Sequence, residues 1–158
     1  MVGAVAFGGG FDRGNSAVAR PDGAAAKPSP VSGIRTYHDI GLDAGDGLVL
    51  ATDPPQSMPG VENGTFGYTA DGGAFVSDVT RGALVLLSPE TPGTRDSCRG
   101  ESDLVVSVPR AQLTTGSRLC VVDVDGTTTL VTFRQLSDPG GPVAHATLDL
   151  IVWPARQL

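Results

Sequence analysis

The sequence predicts an all-β protein: a two-sheet antiparallel β-sandwich, jelly-roll-like, with one disulfide. Three observations lead to this fold class, namely the composition, the alternation of apolar residues in short segments, and the close spacing of turn signals. The 158 residues include 22 Gly and 12 Pro, and only 18 % are charged. Val, Thr, Gly and Asp, the residues of strands and turns, are abundant. No window long enough for a regular helix carries a helical apolar stripe.

Short strand-like segments follow one another along most of the chain, separated by Gly-, Pro- and Asp-rich turns such as "DAGDG", "ADGG" and "SPETPG". Eight or nine strands at this spacing are typical of two packed sheets. The predicted strands are 34–40, 47–52, 65–69, 73–77, 83–87, 104–108, 118–124, 127–134 and 145–153.

The segment 145–153, "HATLDLIVW", has the clearest strand pattern. Successive side chains on a strand point to opposite faces, so residues two apart share a face. His145, Thr147 and Asp149 are therefore predicted to face outward. The predicted inward face consists of Ala146, Leu148, Leu150 and Val152.

The clearest hairpin is "VVDVDGTTTLV", in which Asp125-Gly126 predicts a type I′ turn. Asp123 and Asp125 point the same way at the end of a strand and could ligate Ca²⁺. A calcium site needs further oxygen ligands, so a turn-forming Asp125 beside a solvated Asp123 is the favoured interpretation. No other cofactor is expected.

Composition also sets the domain organisation and excludes two classes of partner. Residues 1–32 are predicted to be a disordered tail or linker, favoured over the remnant of a membrane segment, and residues 33–158 the sandwich domain. The net charge of −6 and pI near 4.6 argue against nucleic acid. The longest apolar stretches reach about half of the ~20 residues that a membrane-spanning helix needs.

Cys98 and Cys120 are the only cysteines and lie 22 positions apart. This spacing differs from the C-x-x-C pattern of redox motifs and zinc knuckles. A disulfide that closes such a loop stabilises a fold by about 3 kcal/mol, and it forms in an oxidising compartment. A disulfide is therefore favoured over two separate buried thiols, and a metal or redox role is least favoured.

Three segments, 37–52, 97–133 and 146–153, follow a recognisable order: a Cys before a strand, an "L-x-x-G-x-x-L-C-V" element, a hairpin, and a last strand that ends in Trp. This order resembles the extracytoplasmic C-terminal β-sandwich modules of actinobacterial membrane-associated regulators and secreted proteins. The resemblance covers roughly residues 34–154 and implies a secreted or cell-surface location but no catalytic residues. The residues that carry it are Cys98, Leu113, Gly116, Leu119, Cys120, Val121 and Trp153.

Four residues are candidates for ligand binding: Tyr37, His38, Tyr68 and His145. Exposed aromatic rings act as stacking platforms for sugars, and Tyr37 and Tyr68 are the candidates for that role. His38 and His145 are the only histidines and could share a site if the first and last strands were neighbours. Two half-exposed strand histidines without a joint role are the favoured interpretation.

The chain lacks the P-loop, H-E-x-x-H, G-x-G-x-x-G and G-x-S-x-G motifs, so a small hydrolase or isomerase is the least favoured function and no catalytic residue is assigned. The favoured function is a non-catalytic sensing or ligand-binding module of the cell envelope, with an unidentified envelope ligand or protein partner. The alternative is an interaction or assembly domain that pairs through a sheet edge or face. Loops 53–64, 70–73, 88–97 and 136–144 are expected to carry the specificity.

Overall fold

Ten strands form two antiparallel sheets in the computed structural model, which describes residues 33–138 and 142–156. The described residues also contain one helix, α1 (Arg95–Gly100), and two 3-10 turns, Val61–Asn63 and Arg110–Gln112. The strands are β1 (Arg35–Asp43), β2 (Asp46–Val49), β3 (Gln56–Pro59), β4 (Phe66–Tyr68), β5 (Ala74–Ser77), β6 (Gly82–Leu87), β7 (Ser107–Pro109), β8 (Arg118–Asp123), β9 (Thr128–Leu136) and β10 (His145–Trp153).

Each sheet has five strands. The order is β1-β10-β9-β8-β6 in sheet A and β3-β2-β4-β5-β7 in sheet B, and every neighbouring pair is antiparallel. The predicted all-β fold, with two antiparallel sheets packed as a sandwich, is confirmed. The jelly-roll connectivity stays a prediction.

The main core lies between the two sheets and is built from the inward faces of their strands. The alternation predicted for β10 is confirmed, because Ala146, Leu148, Leu150 and Val152 are all completely buried. Aromatic rings fill the centre. Phe75 stacks on Tyr68 with ring centroids 4.2 Å apart and meets Phe133 of sheet A edge-on at 4.9 Å.

A second, smaller core lies on the outer face of sheet A, where α1 covers β8 and β9. The Cys98–Cys120 disulfide joins α1 to β8 and is completely buried, so the predicted disulfide is confirmed. The Thr94 hydroxyl caps the helix by accepting a hydrogen bond from the Ser97 amide. The apolar residues around the disulfide are Val85, Leu87 and Leu130, with Ile151 and Trp153 partly buried against them.

Two elements fall within predicted loops. β3 lies inside the predicted loop 53–64, and it carried no strand signal because all four of its residues are exposed at the edge of sheet B. α1 begins inside the predicted loop 88–97. Its 6 residues are too few for an apolar stripe, and its attachment depends on the buried Cys98.

The hairpin between β8 and β9 corrects the predicted type I′ turn. A type I′ turn needs a positive φ at both central residues. Here Gly126 has a φ of 93°, but the φ of Asp125 is not positive. The Gly126 amide donates to Asp123 O at 3.0 Å, and the Asp123 amide donates to Thr127 O at 2.8 Å. The connection is therefore a three-residue loop in which glycine takes the left-handed position.

The segment between α1 and β7 crosses from one sheet to the other. Val105 forms an isolated bridge with Leu84 at the edge of sheet A, and Ser107–Pro109 then pairs with β5 at the edge of sheet B. The predicted strand 104–108 is therefore divided between the two sheets.

Some predictions lie outside the described residues. The tail predicted for residues 1–32 is one, and so are positions 139–141 of the predicted loop 136–144. The domain boundary near residue 32 stays a prediction. In the part of the chain that the structure describes, no helix is long and apolar enough to cross a membrane.

The disulfide gives a first test of stability. We expect reduction to lower the free energy of unfolding by about 3 kcal/mol, because the open chain regains the entropy of the closed loop. Urea unfolding with and without a phosphine reductant measures the effect, which should move the midpoint by about 1 M or more. The double variant C98A/C120A is the control, since its midpoint should not respond to the reductant. Equal midpoints for the oxidised and reduced protein would contradict a stabilising crosslink.

Candidate functional site

Tyr37 lies near the start of β1, with its ring partly buried against the core. Its hydroxyl donates to Asp53 Oδ1 at 2.7 Å and accepts from Arg35 Nη1 at 3.3 Å. Burial raises the pKa of Tyr37, and the hydrogen bond to Asp53 raises it further. Tyr37 therefore fastens β1 to the segment after β2, and its hydroxyl is occupied within the protein.

Tyr68 corrects the prediction of an exposed stacking platform. All three residues of β4 are buried, and Tyr68 is 0 % exposed. Its ring lies against Phe75 in the main core, and its hydroxyl has no hydrogen-bond partner among the described residues. A ligand on the surface cannot reach this ring.

His38 belongs to a polar cluster on the outer face of β1, β10 and β9. The register of β1 against β10 shifts between Tyr37 and Ile40, and Asp39 within this bulge has a φ of 56°. The bulge lets the Asp39 amide donate to Asp149 Oδ1 at 3.2 Å. Asp149 Oδ2 lies 3.4 Å from His38 Nδ1 and 3.5 Å from Arg134 Nε. One carboxylate therefore joins three strands.

The pKa of Asp149 reflects these contacts. Burial acts to raise the pKa, but the Asp39 amide, the His38 side chain and the Arg134 charge together outweigh it and lower the pKa below its usual value. The ionised carboxylate is thus the form that the folded protein favours.

His145 makes a separate cluster at the other end of the same strand pair. Its Nδ1 forms a hydrogen bond with Asp43 Oδ1 on β1, and its amide donates to Ser137 Oγ at 2.7 Å. β1 and β10 are neighbours, as a shared histidine site would require, but His38 contacts Asp149, four residues beyond His145. Four residues of a strand span about 13 Å, so the two imidazoles do not meet.

Asp123 and Asp125 lie at the β8–β9 turn. Burial raises the pKa of Asp123, and the neighbouring Asp125 charge raises it further. Asp125 Oδ1 accepts a hydrogen bond from the Thr127 amide at 2.7 Å, and this bond stabilises the turn. No group of three or more His, Cys, Asp or Glu side chains that could hold a metal is found within residues 33–138 and 142–156. The calcium ligand set suggested by these two residues is therefore not completed by other carboxylates there.

One concave surface with a mixed polar and apolar lining is a groove at the end of sheet A where β6 ends and β8 begins. It has a volume of about 610 Å³ and lies between residues 86–89 and 112–118. A depression of about 290 Å³ adjoins it, sharing Thr115 and reaching His145. We call the larger cavity the β6–β8 groove and the smaller one its side depression. His145, which lines the side depression, is the one predicted ligand-binding residue at this surface.

Arg118 fixes one wall of the β6–β8 groove. Its Nη2 donates to the carbonyl oxygens of Pro89 at 3.1 Å and Ser88 at 3.3 Å, and it also contacts that of Thr91. Gly93 farther along this loop packs closely on sheet A, because a Cβ there would lie 2.8 Å from Leu130 Cδ2. Nη2 of Arg118 therefore holds the 88–91 segment in place. Sequence reasoning missed this role, since an arginine at a strand start carries no sign of distant carbonyl partners.

Comparisons with known proteins do not identify relatives. The chain matches no protein-family model, and neither the curated proteins nor the solved structures contain a match. The resemblance to actinobacterial extracytoplasmic modules therefore stays a prediction.

The Asp149 cluster gives a test with a defined pH dependence. A carboxylate whose pKa is lowered by folding stabilises the folded state above its unfolded pKa, near 3.8, and this contribution is lost as the pH falls through the folded value. We expect Asp149→Asn to lower the free energy of unfolding at pH 7 by up to about 1 kcal/mol, and by less at pH 3. Urea unfolding at both pH values measures the difference. Asp103→Asn, at an exposed carboxylate, is the control, and an Asp149→Asn effect that does not depend on pH would contradict the assignment.

Proposed function

We propose that this protein is a non-catalytic, extracytoplasmic binding module that recognises an uncharged, hydroxyl- or amide-bearing ligand of the cell envelope. The observation that carries the proposal is the chemistry of the β6–β8 groove. Its described lining combines neutral hydrogen-bonding side chains with apolar ones, and Nη2 of its single charged side chain, Arg118, donates to backbone carbonyl oxygens.

The neutral groups of the groove suit a ligand that both donates and accepts hydrogen bonds. A hydroxyl side chain can act in either direction, and a glutamine amide offers both functions at once. Leu86, about one third exposed, adds an apolar surface, as ligand sites commonly do. The polar lining residues are Ser88, Gln112, Thr114, Thr115 and Ser117.

A binding role is favoured over catalysis because the described residues that line the β6–β8 groove include no acidic, imidazole or thiol side chain, and His145 lines only the adjoining side depression. Active sites bring titratable groups with shifted pKa values together. Here none of the carboxylates with shifted pKa values lines the groove; they are Asp71, Asp78, Asp123 and Asp149.

The extracytoplasmic address rests on the disulfide. Structural disulfides persist in oxidising compartments and are rare in the cytosol, and Cys98–Cys120 is buried in a hydrophobic cluster, as structural bridges are. The sequence resemblance to actinobacterial extracytoplasmic modules supports the same address.

A thermal-shift screen tests the proposed function. The panel contains neutral oligosaccharides and neutral peptides, and a ligand present at 100 times its dissociation constant should add about 2.7 kcal/mol to the folded state. Thr115→Arg should abolish the shift because it places a long charged side chain where the groove and its side depression meet. Thr36→Arg, at an exposed position of β1, is the matched control. A flat panel, or a hit that survives Thr115→Arg, would overturn the assignment of the groove.

Self-association through the edge of β6 is the second candidate function. The Leu84 amide and carbonyl pair with Val105, away from β8. The backbone groups of Leu86, two residues on, therefore face the same edge beyond this bridge. Three consecutive apolar side chains stand exposed beside this edge, Leu104 at 56 %, Val105 at 40 % and Val106 at 42 %. Unpaired edge strands with apolar neighbours are common pairing surfaces.

This second function predicts a mass that rises with protein concentration in sedimentation equilibrium. The double variant L104K/V106K should remain monomeric over the same range, because two added charges at the edge oppose pairing. Val79→Lys is the control, as Val79 is 69 % exposed but lies at the turn before β6. A wild-type mass that stays monomeric up to millimolar concentration would exclude assembly through β6.

A further inference from the structure

A second depression lies at the opposite end of β8 from the β6–β8 groove. It has a volume of about 640 Å³ and is bordered by α1, by the turn between β8 and β9, and by the residues after β10. It shares no lining residue with the groove. The two surfaces are therefore separate, and their chemistry differs.

Three arginines lie at or beside this depression, together with the carboxylates of Asp96 and Asp125. Arg95 and Arg99 lie four residues apart on α1, and Arg156 follows β10. Like charges at this spacing on a helix repel each other. Burial lowers the pKa of Arg95, and the nearby charges of Arg156 and Arg99 lower it further. Three guanidinium groups thus crowd together in a chain whose net charge is −6.

The carboxylates beside the depression offset part of the arginines' positive charge but hold their side chains only weakly. Asp96 Oδ1 lies 3.9 Å from Arg156 Nη2, and the two side chains are 89 % and 73 % exposed, so their attraction is weak. Asp125 also lines the depression, but its Oδ1 accepts the Thr127 amide at 2.7 Å. Both carboxylates would lie near a bound ligand, and one of them is committed to the turn.

Arg99 and Arg156 line the depression, whereas Arg95 is not among its lining residues. Arg99 Nη1 donates to the Gly126 carbonyl at 3.3 Å, which orients the side chain along the depression. Arg95 Nε and Nη2 are buried and find no acceptor within residues 33–138 and 142–156. The Cys98–Cys120 disulfide holds the helix that carries Arg95 and Arg99 against β8. The backbone positions of the two arginines are therefore fixed.

We infer that this depression binds a phosphate-type oxyanion through Arg99 and Arg156, with Arg95 contributing positive charge behind them. The planar guanidinium group matches the oxygens of such an anion with paired hydrogen bonds. The anion offsets the mutual repulsion of the three arginines and competes with Asp96 for Arg156. This site is independent of the function proposed for the β6–β8 groove. Its oxyanion is either free phosphate or a phosphate ester on a larger molecule.

An NMR titration of the intact chain tests the site. The Arg Nε–Hε signals are followed during addition of inorganic phosphate, glycerol 3-phosphate or, at matched ionic strength, sodium chloride. Both phosphate compounds should shift the Arg99 and Arg156 signals saturably, whereas chloride should not. Tighter binding of inorganic phosphate identifies the free anion as the ligand, and tighter binding of the ester identifies a phosphate group on a larger molecule.

Variants assign the effect to the named side chains. R99Q/R156Q should weaken phosphate binding at least tenfold, whereas Arg134→Gln, which removes an exposed arginine on the outer face of β9, should leave it unchanged. Both substituted arginines are exposed at the surface, and the wild-type titration is informative whether or not the variants fold. Equal shifts with chloride, or unchanged affinity in R99Q/R156Q, would overturn the inference.

Discussion

The Cys98–Cys120 disulfide is the constraint on which the β6–β8 groove and the arginine-lined depression both depend. α1 has 6 residues, too few to form or to stay attached alone. The covalent bond to β8 fixes it on sheet A and thereby fixes the segments on either side of it. The preceding loop then meets Arg118 and forms a wall of the β6–β8 groove. The helix itself brings Arg95 and Arg99 to the opposite end of β8.

The two ends of β8 present different chemistry because different kinds of segment meet there. At the start of the strand, hydroxyl-bearing residues lie around Leu86, and Nη2 of Arg118 donates to backbone carbonyl oxygens of residues 88–91. At the far end, the helix and the residues after β10 bring guanidinium groups together with few acceptors. The polar cluster around Asp149 lies on a third surface, and there the charges pair with one another across three strands. That cluster links strands, and the hydrogen-bonding groups of Asp149 are already used within the protein.

The sequence predicted what depends on periodicity and failed where the signal is spatial. The inward face of β10 and the disulfide followed from alternation and spacing, and both are confirmed. β3 was missed because an exposed edge strand has no apolar face, and Tyr68 was misplaced because an aromatic ring in a Gly-rich segment looks the same whether buried or exposed. The groove and the arginine cluster join residues far apart in the chain. No local pattern could bring them together.

The sheet edges also decide how far an assembly could grow. β1 is interrupted by the bulge at Asp39, β7 has 3 residues, and β3 has 4 residues and ends in Pro59. Each of these edges resists a further strand, which leaves the part of β6 beyond the Leu84–Val105 bridge as the open edge among the described strands. Two copies joined β6 to β6 would use the same surface on both sides of a two-fold axis. Such a contact consumes its own edge, so growth ends at a closed pair and cannot continue into a fibre.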